Sequence, residues 1–159
     1  MNIDIVCVGK IKEKYLVEAI SEYSKRLQRY CSLNVYEVQD EKTPDNASQT
    51  VNEKIKEAEA NKLKKYLKED AYIISLEIDG KQLSSEELAE KISSLGTYGA
   101  SHIQFVIGGS LGLHNSITKM ADYHLSFSKM TFPHQLMRVI LLEQIYRAYR
   151  INSNEPYHK

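Results

Sequence analysis

The sequence predicts an α/β protein in which a mostly parallel sheet is flanked by helices. Short apolar segments alternate with longer amphipathic segments, which is the pattern of strands and helices in this class. Two short segments, Ala71–Leu76 and Ile103–Ile107, are apolar at all but one position each, as strands are when helices cover both faces of a sheet. The 159 residues contain no repeat, low-complexity tract or linker, so we expect one domain over residues 1–159.

The first half of the chain supports two further strands and two helices. Ile3–Val8 is a short apolar run closed by Gly9, and Leu33–Val38 alternates well enough to be a strand. Tyr15–Tyr30 has apolar residues at helical spacing. Residues from about 48 to 67 predict a charged, outer helix with a thin apolar stripe. That stripe consists of Val51, Ile55, Ala58, Leu63 and Leu67.

The second half supplies stronger local signals. Asp79-Gly80 predicts a turn after the third strand. Ser84 and Glu87 have the spacing of a capping box, and they predict a helix that ends near Gly96. Three further elements are predicted, a short helix, a fifth strand and a long final helix: His114–Ala121, Tyr123–Phe127 and a helix from Pro133 to about Ile151.

The composition excludes several classes of protein. Hydrophobic residues make up 42% and charged residues 26%, as in globular proteins, and the formal net charge is zero, which argues against coating nucleic acid by bulk electrostatics. Cys7 and Cys31 form neither a disulfide framework nor a metal motif, so we expect reduced thiols and no metal. We see no signal peptide and no apolar run of membrane-spanning length, so we expect a cytoplasmic protein without membrane partners.

Three predicted strand ends are candidates for a ligand site. Parallel sheets bind ligands beyond the carboxyl ends of their strands. Leu76-Glu77, Gly108-Gly109 and Phe127–Phe132 lie at such ends, and they combine close backbone approach at glycine with the hydroxyl groups of Ser128 and Thr131.

The glycines also admit other interpretations. The motif reads GGxxG rather than GxGxxG, and no acidic residue follows at the spacing expected of a dinucleotide fingerprint. A nucleotide-using enzyme with this loop on a phosphate nevertheless stays an alternative. The glycines are equally compatible with a tight strand-to-helix turn that has no ligand.

The final helix is apolar around nearly its whole circumference. A helix near the end of a small monomer normally has one polar face, so this coverage indicates burial on two sides, by its own sheet and by a partner subunit. Four charged residues interrupt it and could pair with one another or face a polyanion: Arg138, Glu143, Arg147 and Arg150.

Long ordered motifs resemble a known family. VIGGSLGL at residues 106–113, LSFSKMTFPHQLMRVILLEQIYRAY at 125–149 and the terminal PYHK are similar to the ribosomal RNA large-subunit methyltransferase H family of the SPOUT superfamily. The similarity spans nearly the whole chain. It implies an α/β fold with a C-terminal trefoil knot and a homodimer. It also implies an enzyme that uses S-adenosyl-L-methionine to methylate N3 of a pseudouridine in 23S (large-subunit) ribosomal RNA. Because positive charge is only loosely clustered in the sequence, we expect a structured target, the assembled ribosome.

The resemblance also implies roles for individual residues. The cofactor contacts fall on Leu76, Gly108, Phe127, Ser128, Lys129, Met130, Thr131 and Phe132. Because N3 of a uracil-type ring must lose a proton, a base is needed, and His158 is the first candidate, with Tyr157 orienting the target base. His134 is the second. The alternatives are a surface position for His158 and helix capping or packing for His134.

The RNA partner predicts phosphate contacts near the C-terminus. We expect these from Arg150, Arg147 and Lys159. The alternative for each arginine is a surface ion pair. A second function also stays open, that of a non-catalytic dimeric factor that binds RNA or the ribosome with the same fold.

Overall fold

The computed structural model describes all residues, 1–159, and confirms the predicted fold class. One five-stranded sheet has the order β2-β1-β4-β3-β5, and every pairing is parallel. Its strands are β1 (Asn2–Val8), β2 (Ser32–Val38), β3 (Tyr72–Gln82), β4 (His102–Ile107) and β5 (Tyr123–Ser126). The helices are α1 (Lys14–Leu27), α2 (Gln49–Lys64), α3 (Ser85–Thr97), α4 (Asn115–Thr118) and α5 (His134–Asn152). The trefoil knot stays a prediction.

Helices cover both faces of the sheet, which explains the apolar strands. Ile5 of β1 belongs to the larger core, against α1, α3 and α5, whereas the adjacent Val6 belongs to the smaller core, against α2 and α4. Successive side chains point to opposite faces of a strand, so a central strand must be apolar at both kinds of position. None of the helices combines the length and apolar character that crossing a membrane requires.

The predicted turn at Asp79-Gly80 is wrong in one respect, because β3 does not end there. Leu125 of β5 pairs with Leu76 and again with Lys81, so residues 77–80 bulge out of the ladder and the strand then resumes. Gly80 makes this possible. A Cβ atom at this position would lie 2.8 Å from the backbone carbonyl oxygen of His124. The bulge displaces residues 77–80 from the sheet at its carboxyl edge.

Helix α2 is less solvated than its charge pattern predicts. Ser48 caps it, since its side chain accepts a hydrogen bond from the Val51 backbone N–H. Val51 is exposed, however, and the buried residues are Glu59, Ala60 and Leu63. The predicted stripe was therefore shifted, because a charged residue in the middle of a charged run gives no local sign that it is buried.

Helix α5 packs against α1 and α3, and only part of its apolar circumference is covered within the protomer. Leu141, Leu142 and Ile145 are buried in the core, whereas Leu136 is 37% exposed and Ile140 is half-buried. An apolar strip near the start of the helix is thus left at the surface.

Arg138 contradicts the expectation that the charged residues of α5 pair with one another or face a polyanion. It is 1% exposed. Its guanidinium donates to Glu37 Oε2 at 2.6 Å, to the Val8 carbonyl at 2.8 Å and to the Gly9 carbonyl. It therefore joins the start of α5 to the carboxyl ends of β1 and β2.

Candidate functional site

The three candidate strand ends meet in one cavity of about 690 Å³. Its walls are formed by the bulge of β3, the segments after β4 and β5, and the first turn of α5. All of the predicted cofactor residues except Lys129 lie in these walls: Leu76, Gly108, Phe127, Ser128, Met130, Thr131 and Phe132. Lys129 is exposed beside them. Their contact with a cofactor stays a prediction, but their convergence is a feature of the fold.

The turn after β4 has no room for a side chain at Gly108. A Cβ atom there would lie 2.6 Å from the carbonyl carbon of Gly112 and 2.9 Å from the Leu113 nitrogen. The turn is closed by a hydrogen bond of 3.0 Å from the Gly112 N–H to the Gly109 carbonyl, and Gly112 has a φ of +84°. The glycines therefore form a tight turn, and this turn exposes its backbone to the cavity.

The segment after β5 is fixed by its own hydroxyl groups. Ser126 donates a hydrogen bond to the Ser128 carbonyl at 3.1 Å, and the Ser128 hydroxyl accepts one from the Met130 N–H at 3.0 Å. These local bonds hold the chain in a compact loop. Met130 is 74% exposed beside the cavity. The loop thus presents backbone groups, hydroxyls and aromatic rings to a ligand.

The charges around the cavity are one-sided. Among its 21 lining residues are the carboxylates of Glu77 and Asp79 and the imidazole of His134, but no lysine or arginine. A phosphate group would lack a cationic partner here, whereas a ligand with positive charge would find two carboxylates. This observation weighs against the dinucleotide alternative. The sequence pattern indicates Asp79 only as a turn residue and gives no signal for Thr118, which also lines the cavity.

His134 is the only histidine in the cavity wall. It makes no side-chain hydrogen bond within the chain, so it is not a helix cap, and its ring lies beside Gly9. Burial, together with the nearby Arg138 guanidinium, lowers the pKa of His134. The lowered pKa favours the neutral ring, which is the form that can accept a proton.

Tyr157 and His158 lie at the opposite end of α5. The Tyr157 hydroxyl donates to Glu143 Oε1 at 2.6 Å, and burial raises the pKa of Tyr157 to about 12. His158 Nδ1 accepts from Arg147 at 3.1 Å, and its Nε2 contacts Glu86 at 2.7 Å. Arg147 and His134 are thirteen residues apart on one helix, or about 20 Å. Within one protomer, the tail does not reach the cavity.

The two predicted RNA-binding arginines hold this tail in place. Arg147 pairs with Glu143 at 3.1 Å and stacks on the Tyr157 ring, 4.7 Å from its centroid. Arg150 contacts Glu155 at 2.5 Å and donates to the Pro156 carbonyl at 2.7 Å. Lys159 is exposed and has no ion pair. The ion-pair alternative thus describes both arginines within the protomer, and their role toward RNA stays a prediction.

The fold and the cavity define an α/β protein with a cavity, at the carboxyl ends of its strands, of the kind in which such proteins bind small organic ligands. No cluster of three or more histidine, cysteine or acidic side chains could hold a metal ion.

Similarity to known proteins narrows this class to one family. A family model described as "Predicted SPOUT methyltransferase" matches residues 1–158, and the chain belongs to this family. It is 64% identical over 159 residues, the full length of both chains, to proteins of Bifidobacterium adolescentis and Clostridium novyi named Ribosomal RNA large subunit methyltransferase H. A protein of the same name from Clostridium kluyveri is 57% identical over the same length.

The fold has a more distant counterpart. The structure of a probable methylase family protein from Haemophilus influenzae is similar with a TM-score of 0.57, over 99% of this chain and 70% of that chain. The sequence identity is 15%, so the likeness concerns the fold alone.

Proposed function

We propose that this protein transfers a methyl group from S-adenosyl-L-methionine to N3 of a pseudouridine in large-subunit ribosomal RNA. The observation that carries the proposal is the cavity at the carboxyl ends of β3, β4 and β5, with two carboxylates and no cationic side chain in its walls. The names of the full-length relatives support ribosomal RNA as the substrate.

The lining of the cavity supports this choice of cofactor. Apolar side chains, among them Leu76, Ile107 and Phe127, offer surfaces for a purine ring. The backbone of the Gly108 turn offers hydrogen-bonding groups that no side chain obstructs. When bound, the cofactor supplies a methyl group on a sulfonium centre, and the net negative charge of the cavity wall favours this positive charge.

We further propose that the active enzyme is a two-fold homodimer built on α5. The apolar strip with Leu136, Val139 and Ile140 lies incompletely buried on this helix. If two copies pack α5 antiparallel across this strip, the C-terminal end of one helix lies beside the N-terminal end of the other. Tyr157 and His158 of each copy would then reach the cavity of its partner subunit.

In this arrangement the protein has two tasks at the reacting atom. It must hold the target base in line with the methyl group, which contributes up to roughly 7–11 kcal/mol in ideal cases. It must also take the N3 proton, for which His158 from the tail is the first candidate and His134 in the cavity wall the second. Lys159, Arg147 and Arg150 would contact phosphates beside the same opening.

A complementation experiment tests the shared site. One variant lacks Tyr157–Lys159 but keeps its cavity, and the other carries Gly108→Val, whose larger side chain abolishes cofactor binding, but keeps its tail. Each alone should be inactive on ribosomes, and the tail deletion should still bind the cofactor. After subunit exchange in a mixture, roughly a quarter of wild-type turnover should return, because each mixed dimer has one complete site. A mixture that stays inactive would mean that the tail does not act across subunits.

Calorimetry separates this function from that of a non-catalytic ribosome-binding factor. Binding of S-adenosyl-L-methionine is expected at micromolar concentration, and its absence would favour the binding factor. Mass spectrometry of ribosomal RNA from cells with and without the gene identifies the modified nucleotide, and an unchanged modification pattern would refute the substrate.

A further inference from the structure

Glu77 differs from the other polar groups of the cavity because its carboxylate is held by two side chains behind it. The Ser75 hydroxyl donates to Glu77 Oε2 at 2.5 Å, and His124 Nδ1 contacts the same oxygen. Ser75 and His124 are also 3.0 Å apart. The three residues come from the adjacent strands β3 and β5, at the point where the bulge of β3 begins.

This arrangement fixes one carboxylate oxygen and leaves the other free. Ser75 is completely buried and the side chain of Glu77 is 26% exposed, so the carboxylate lies between the sheet and the cavity. Oε1 of Glu77 has no hydrogen-bond partner in the protomer. Asp79, the other carboxylate of the cavity, is exposed and makes no hydrogen bond with any side chain. Glu77 thus has one carboxylate oxygen held by the sheet and the other unpaired in the wall of the cavity, whereas no side chain holds Asp79.

The kind of donor that suits Glu77 follows from its surroundings. Hydrogen bonds from Ser75 and His124 already compensate part of the charge on Oε2, which weakens an ion pair with a cationic ligand. They also fix the direction of the carboxylate, which strengthens a directional hydrogen bond. The adjacent hydroxyl groups of a ribose are neutral donors, and the free Oε1, with its two lone pairs, can accept hydrogen bonds from them.

We infer that Glu77 recognises the ribose hydroxyl groups of the nucleoside ligand, and that Ser75 and His124 position its carboxylate. This inference rests on the proposed function, because it assumes that the ligand is an adenosine derivative. It assigns to Glu77 the selection of a ribonucleoside over a ligand without these hydroxyls. A ligand that lacks the hydrogen bonds to this charged acceptor should bind roughly 10- to 100-fold more weakly.

The test uses two neutral ligands that differ only in these hydroxyls. One is S-adenosylhomocysteine, and the other is its analogue in which both ribose hydroxyls are replaced by hydrogen. Wild-type protein is expected to bind the analogue roughly 10- to 100-fold more weakly in calorimetric titrations. We compare the ratio of the two dissociation constants, that of the analogue divided by that of S-adenosylhomocysteine. In Glu77→Gln this ratio should be at least about threefold smaller than in wild type, because an amide is a weaker acceptor than a carboxylate. Ser75→Ala should give an intermediate ratio.

The control is Asp79→Asn, which removes a carboxylate from the same cavity and should keep the wild-type ratio. Equal binding of the two ligands by wild-type protein overturns the inference without any variant. An unchanged ratio in folded Glu77→Gln also overturns it. If Glu77→Gln weakens S-adenosyl-L-methionine but not S-adenosylhomocysteine, the carboxylate pairs with the sulfonium charge instead. If wild-type protein binds neither compound, the proposed function fails and the inference fails with it.

Discussion

Replacing Gly108 by alanine tests whether the turn after β4 forms the cofactor site. The added Cβ would lie 2.6 Å from the Gly112 carbonyl carbon, whereas ordinary van der Waals contact begins at 3.4 Å, so the atoms would be about 0.8 Å too close. All of the nearest atoms belong to the backbone of Gly112 and Leu113, so no flexible side chain can give way. The turn itself must therefore move.

We expect two effects of different size. Overpacking of this kind costs about 1–3 kcal/mol of stability, measured by urea unfolding. Because the displaced turn faces the cavity, affinity for S-adenosyl-L-methionine should fall by at least about tenfold, the equivalent of one good hydrogen bond. The protein should stay folded, since the strands and the two cores are untouched.

Gly99→Ala is the matched control. Gly99 has a φ of +99° and open space around it, so alanine there is strained by roughly 1–2 kcal/mol without a clash. It lies between α3 and β4, before the strand rather than after it. The affinity of the Gly99→Ala protein for S-adenosyl-L-methionine should equal that of wild type. A Gly108→Ala protein that binds as tightly as Gly99→Ala would refute the proposed role of the turn.

Two further predictions concern buried charges. Arg138→Met should lower the free energy of unfolding by about 3 kcal/mol or more, because Glu37 and two backbone carbonyls lose their partner. The control, Arg26→Met, removes an exposed pair with Glu22 and should cost less than about 1 kcal/mol. Equal losses of the two variants in urea unfolding would contradict the burial of Arg138. Burial raises the pKa of the Glu59 carboxyl group above 4.5, so the folded protein binds the carboxyl proton more tightly than the unfolded chain does. Wild type should therefore lose stability relative to Glu59→Gln as the pH rises above 4.5. A stability difference that does not change with pH would show that Glu59 is not desolvated.

Much of the fold could be predicted from local pattern. Apart from β3, which continues six residues beyond its predicted end, the strands and helices lie within a few residues of their predicted bounds, and the capping box of Ser84 and Glu87 is present. Hydrophobic periodicity reports which side of a segment is buried, and caps and glycines mark where it ends, so these features need no distant contact. The three strand ends were also predictable as a common site, because parallel strands end at one edge of a sheet.

Other features depend on residues far apart in the chain. The position of β3 between β4 and β5, and the bulge that places Glu77 at the cavity, follow from pairing with β5 about fifty residues later. Glu59 and Arg138 look like surface charges in their own helices, yet each is buried by packing against other elements. No local pattern encodes such a contact.

The sequence by itself thus determined the class of fold, the edge of the sheet where the cavity lies and, through long shared motifs, the family. Only the tertiary structure decided which side chains surround the cavity, that it contains carboxylates but no cation, and that the tail lies at the far end of α5. The physical reason is that hydrophobic periodicity reports only which face of a single helix or strand is buried. The electrostatics of a site arise from groups that different segments bring together, and that information exists only once the chain is packed.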